Sequence, residues 1–103
     1  MEIVHCYSKE QRKAYERAFI ERTTNTPGWD VLDSIEHPSG IKKGDMVVVR
    51  NGYGHHVGPY KALGFRVKDN GRQQMYLDWD CWWCPVDIER IQETGKEAAD
   101  DKE

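Results

Sequence analysis

The stretch "YKALGFRVKDNGRQQMYLD", Tyr60 to Asp78, decides the fold class. Asn70-Gly71 is a strong short hairpin signal, because both residues tolerate the positive φ that a tight reversal needs. The segment before this pair reads as one strand, and "QQMYLD" reads as the strand returning against it. Gly64, inside the first strand, predicts a bulge or a sharp coil because it has no side chain to pack. This part of the chain therefore follows a period of two rather than the helical period.

Upstream of the hairpin, "DMVVVRN" (Asp45–Asn51) is a further strand. "NGYGHHVGPY" (Asn51–Tyr60) is read as a loop, because its three glycines suit no regular element. Downstream, "DWD" (Asp78–Asp80) reads as a second tight turn, "CWWCP" (Cys81–Pro85) as a strand, and "VDIERI" (Val86–Ile91) as a closing turn or short strand. Four or five short strands joined by tight turns point to a small barrel.

The N-terminal third follows a different pattern. Ser8 and Gln11 have capping-box spacing, which starts a helix from about Lys9 to Arg22. Ala14, Tyr15, Ala18 and Phe19 are expected to form its buried stripe, and "TTNTPG" (Thr23–Gly28) is expected to end it. Trp29, Leu32 and Ile35 keep helical spacing and predict a short second helix, although Val31, Asp33 and Ile35 would also alternate along a strand. His37-Pro38-Ser39-Gly40 is a turn, since the residue before proline is pushed out of helical geometry. His5 and Cys6 are placed in a short lead-in strand. The expected class is α+β: an N-terminal amphipathic helix packed on a small four- or five-stranded antiparallel barrel. Residues 1–91 form one domain, with a helical lead-in over 1–40 and the barrel over 41–91, followed by a disordered acidic tail over 92–103.

Composition limits the function. At 103 residues and 38% hydrophobic, the chain holds one core of modest size. Three cysteines are too few for a disulfide-built secreted scaffold, so a reducing cytoplasm is the expected compartment. No run of about 18 apolar residues suggests a membrane span, and no signal-peptide pattern opens the chain. The net charge of −3 is uneven: residues 41–72 hold seven Lys or Arg against two Asp, and 92–103 hold five acids against two bases. That basic half is modest beside the footprint of a dedicated nucleic-acid reader.

Cys81-Trp82-Trp83-Cys84 raises the question of redox or metal chemistry. Two cysteines three apart in an extended strand lie about 10 Å apart on opposite faces, too far for a disulfide. No helix follows Cys84 to lower a thiol pKa, as a thioredoxin-type centre requires. His5, Cys6, His37, His55, His56, Cys81 and Cys84 are suitable zinc ligands, yet no second pair recurs at zinc spacing. Asp78, Asp80 and Asp87 are read as turn residues making local hydrogen bonds, and no nucleophile or phosphate loop accompanies His55 and His56. The expectation is a protein without catalysis, metal or cofactor.

Two segments carry a resemblance. "KKGDMVVVRNGYGHHVGPYKALGF" resembles the KOW segment of small barrels in ribosomal proteins and transcription elongation factors, through Gly44-Asp45, Val47, Val49, Gly52, Gly54 and Gly58. "DWDCWWCPVDIERI" is similar to the end of Src-homology-3-like barrels, in which a Trp-rich strand leads to Pro, a one-turn helix and a last short strand. Together they cover roughly residues 41–91 and imply the fold. They do not transfer the ligand, because function resides in sites grafted onto folds.

Two functions fit. The first is a non-catalytic interaction module that binds a protein or peptide through Tyr53, His55, His56, Tyr60, Trp79 and Trp82. That contact set rests on expected exposure, since strand alternation cannot bury every indole. The alternative is nucleic-acid binding, with Lys42, Lys43, Arg50, Lys61, Arg66, Lys68 and Arg72 contacting phosphates while Tyr53 or His56 stacks on a base.

Overall fold

The computed structural model of the chain describes residues 3–4, 7–38 and 40–95. Its elements in order are β1 (Ile3–Val4), α1 (Lys9–Asn25), β2 (Met46–Arg50), β3 (His56–Val67), β4 (Gln73–Leu77), β5 (Val86–Asp87), a 3-10 turn (Ile88–Arg90) and β6 (Ile91–Gly95). One helix precedes a curled, mainly antiparallel sheet, which makes the chain α+β.

The capping box forms as read: Ser8 Oγ accepts from Gln11 N–H, and Gln11 Oε1 accepts from Ser8 N–H at 2.8 Å. α1 runs through Asn25, beyond the expected end, and within it the Thr23 hydroxyl is satisfied by donating to the carbonyl of Phe19. The buried stripe also differs. Arg12 and Phe19 are buried and Tyr15 and Glu16 half-buried, at i, i+3, i+4 and i+7, while Ala14 is exposed. Two members of that stripe are charged because each meets a counter-ion: Arg12 Nη1 lies 3.4 Å from Asp78 Oδ2, and Glu16 Oε2 lies 3.2 Å from Lys61 Nζ.

The sheet order is β5-β4-β3-β2-β6, with β1 lying parallel to β3. β3 is shared along its length. Its first half pairs with β2 (Met46 opposite Lys61, Arg50 opposite His56) and its second half with β4 (Ala62 opposite Leu77, Val67 opposite Gln73). Register shifts at Val47/Val49 and Ala62/Gly64 bend the ladder, which is the bulge predicted at Gly64. The expected loop over 51–60 is shorter in the structure, since β3 already begins at His56. Gly58 makes this possible. It lies inside the strand at φ +136°, and a Cβ there would stand 2.9 Å from the carbonyl oxygen of Val47.

The 69–72 hairpin forms, closed by Gly71 N–H on the Lys68 carbonyl and Lys68 N–H on the Arg72 carbonyl. Of the turn expected at His37-Pro38-Ser39-Gly40, the closing bond is present, with Gly40 N–H donating to the His37 carbonyl, while Ser39 lies outside the described residues. The short helix expected around Trp29–Ile35 is absent. Leu32 instead exchanges both backbone hydrogen bonds with Phe65, laying this segment along β3 beyond the end of β2. Val31 then packs onto Gly64, where a Cβ would meet its Cγ1 at 2.5 Å.

The main core gathers Val47, Val49, Phe65, Met75 and Leu77 from β2, β3 and β4, with Val86 and Ile88 closing it. A second cluster of Phe19, Leu63 and Tyr76, flanked by Trp29, Val31 and Trp82, joins α1 to the sheet. β6 continues through Gly95 and pairs with β2, so the ordered chain passes the expected start of the tail at 92. The lead-in strand expected at His5 and Cys6 and the disorder expected over 96–103 lie outside the described residues.

Candidate functional site

Residues 81–84 form a turn, which corrects the expectation of a strand. Cys84 N–H donates to the Cys81 carbonyl at 2.8 Å, and β4 and β5 pair only from Met75–Val86 outward. The connection from Leu77 to Pro85 is therefore a folded loop. Its signals were local: Asp78 and Asp80 flank Trp79, and Pro85 follows, all of them turn chemistry. The tryptophans' strand propensity masked them.

In this turn the two indoles point to different places. Trp82 is half-buried against the second cluster, with the Arg22 guanidinium 5.7 Å from its ring centre. It lines a groove of about 280 Å³ with Ala18, Arg22 and Thr26 at the C-terminal end of α1. Trp83 stands edge-on to Trp82 at 5.3 Å and is 50% exposed. It borders a second cleft of about 270 Å³, lined by Pro27, Gly28, Trp29, Asp30, Arg66 and Tyr76. Trp29 packs on Tyr76 at 5.8 Å and edge-on to Phe19 at 6.4 Å, so its indole is held from beneath.

The polar groups of this cleft are few. Burial pushes the Tyr76 phenol up from its ordinary value, and the positive charge of Arg66 opposes that shift. Asp30 supplies one opposing negative charge. Rigid indole faces rimmed by a guanidinium and a carboxylate can stack on a planar or apolar group and orient it by hydrogen bonds. No described group of three or more His, Cys, Asp or Glu side chains is placed to hold a metal ion.

The expected contact set divides. Tyr53 is 89% exposed and His55 is exposed, in the loop before β3, with His56 half-buried at its start. Tyr60 is 2% exposed, so its expected exposure is corrected: it packs beneath Trp79 at 5.5 Å. Trp79 is likewise half-buried on the main core, with its Nε1 buried and without a hydrogen-bond partner. Leu77, from which the indole-bearing loop departs, sits opposite Ala62, six residues along β3 from His56. At a rise of ~3.3 Å per residue that is roughly 20 Å of strand, so the Tyr53 loop and the tryptophan turn are separate patches. Trp83 and Trp29 were absent from the expected set. Their placement at one cleft depends on the turn and on the Leu32 bridge, neither of which a periodicity reading reaches.

Of the basic residues, Lys43 pairs with Asp33 at 3.3 Å, Lys61 with Glu16, and Arg72 with Asp87 at 3.0 Å. Lys42, Arg50, Arg66 and Lys68 are exposed. Two of the three aspartates read as local turn residues, Asp78 and Asp87, reach further than expected. Asp78 accepts from Lys61 N–H at 2.8 Å and meets Arg12, while Asp87 binds Arg72 and the Gln74 amide on β4. Asp80 does act locally: desolvation pushes the Cys81 thiol up, and the neighbouring Asp80 carboxylate adds to that shift. No helix of the described residues is long and apolar enough to cross a membrane. Comparison with known proteins returns no matching family model, no similar curated protein and no similar solved structure.

Proposed function

We propose that the chain is a non-catalytic binding module of the Src-homology-3-like kind, which takes a protein partner on the aromatic surface around its 81–84 turn. The fold reading is supported by the strand order β5-β4-β3-β2-β6, the long strand shared between two halves of the sheet, and the single 3-10 turn before the last strand. The functional reading is carried by one observation: Trp83 is 50% exposed at the rim of a cleft that Trp29 and Tyr76 line. An indole left half in water beside fixed aromatic walls makes an energetic anchor for an interface. Tyr53, His55 and His56 offer a second, separate patch, and the exposed cations offer phosphates a weaker one.

Capture from a native extract by the wild-type chain, compared with Trp83→Ala and Tyr53→Ala, tests this. A partner retained by the wild type and by Tyr53→Ala, and lost by Trp83→Ala at unchanged melting temperature, is the expected result. Equal retention by all three chains would remove the tryptophan surface from the account. Recovery of RNA or DNA that elutes as salt rises would favour the nucleic-acid reading instead.

A further inference from the structure

The 81–84 turn brings together two groups that an extended chain would have kept apart. We infer that Cys81 and Cys84 close into a reversible disulfide across this turn, making the segment that bears the indoles a thiol–disulfide exchange site. The first and last Cα atoms of a β-turn lie within about 7 Å of each other, and a disulfide spans roughly 4.4–6.8 Å between Cα atoms. The hydrogen bond from Cys84 N–H to the Cys81 carbonyl, at 2.8 Å, supplies that closure before any covalent bond forms. Both thiols are free and exposed, so a dissolved oxidant reaches them without the protein opening. Cys84 is also among the groups whose charge acts on the Cys81 sulfur.

The chemistry differs from that of an oxidoreductase. No helix begins at either cysteine, so no dipole promotes a thiolate. Partial desolvation, and after it the Asp80 carboxylate, oppose ionisation of Cys81, so the first attack is assigned to Cys84. With a low-molecular-weight disulfide as oxidant, the Cys84 thiolate attacks one of its sulfurs, the oxidant's S–S bond breaks, and one thiolate leaves to take up a proton from water. Cys81, deprotonated by solvent, then attacks Cys84 Sγ; the mixed disulfide breaks and the second thiol departs. In sum, two cysteine thiols lose two electrons and two protons, and the oxidant becomes two thiols. A dithiol reductant reverses the sequence. The closed ring fixes the turn that directs Trp82 to its groove and Trp83 to its cleft. The exchange needs the turn alone and no partner.

The test uses the full chain, held in excess oxidised glutathione, then alkylated and digested with trypsin. Cleavage after Arg72 and Arg90 leaves both cysteines in one peptide, residues 73–90, separate from Cys6. The expected wild-type peptide lacks two hydrogens and carries no alkyl group or glutathione; a dithiol reductant restores both alkylation sites. In Cys81→Ser the same peptide should retain one glutathione on Cys84, the trapped intermediate. A wild-type peptide bearing two glutathiones or two alkyl groups would overturn the inference. So would a linkage from it to Cys6 or to a second chain.

Discussion

At Asp78 a single carboxylate is asked to hold a helix and a strand together from a dry position. Its oxygens meet Arg12 on α1 and the Lys61 amide on β3, yet burial outweighs both and pushes its pKa up to about 7 from an ordinary 3.8. A folded-state value above the unfolded one means that the native protein binds the proton more tightly. Stability from this group is therefore complete below the unfolded value and is lost as pH rises through the folded one. Denaturant unfolding of the wild type and of Asp78→Asn, compared from about pH 5 to about pH 8, should show the wild type losing ground with rising pH by at most about 1.4 kcal/mol per unit. Parallel curves would show that Asp78 titrates normally in the fold. Trp79 poses the opposite problem, a buried indole N–H with no acceptor. Removing an unsatisfied donor offsets part of the lost packing, so Trp79→Phe should change stability by less than about 1 kcal/mol, whereas Trp79→Ala should cost about 3 kcal/mol or more. If Phe proves as damaging as Ala, the Nε1 has a partner in solution. Neither residue could be placed from the sequence: Asp78 read as a turn aspartate and Trp79 as an exposed one, because their partners lie on α1 and β3.

The helix α1 shows how a charged element is fastened to a sheet. Its one fully apolar anchor is Phe19, 3% exposed and packed on Tyr76 at 5.1 Å, while Ile20 beside it points to solvent at 53%. Phe19→Ala should destabilise the domain by roughly 3–5 kcal/mol, and Ile20→Ala by no more than about 0.5 kcal/mol, measured by thermal or denaturant unfolding. Similar losses at both positions would mean that the helix packs by another face. The start of α1 was legible, since Ser8 and Gln11 carry a complete local mechanism, and so was the 69–72 hairpin, where Asn70-Gly71 carries another. The buried stripe was less so, because Arg12 and Glu16 count as polar in any periodicity and are buried only through ion pairs with distant residues. The 81–84 turn failed to read for a related reason. Indoles favour strands when nothing else is known, and the contacts of Trp82 with α1 and of Trp83 with the Trp29 cleft outweigh that preference only in the assembled fold.

For the whole molecule the decisive question is whether its basic segment acts as a phosphate surface. The seven cations over 41–72 look like a field when counted along the chain, but folding sets Asp33 against Lys43, Glu16 against Lys61 and Asp87 against Arg72, three carboxylates drawn from outside that segment. What the sequence shows as a positive half thus becomes, in three dimensions, a surface whose charges are partly answered, a change that depends on topology and not on composition. The aromatic surface, by contrast, gains from folding, because the turn and the Leu32 bridge bring Trp83 and Trp29 to one cleft. These two surfaces respond differently to salt. A protein that neutralises six to ten phosphates loses roughly 10³–10⁵ in affinity between about 50 and 200 mM salt through release of condensed counterions, while contacts made by buried indole faces release none. Once a partner is isolated, its affinity for the full chain should therefore fall by less than about tenfold over that salt range, measured by titration calorimetry at constant pH. A slope equivalent to several phosphates, together with loss of binding on Arg50→Ala and Lys68→Ala but not on Trp83→Ala, would transfer the function from the tryptophan turn to the cations of the 41–72 segment.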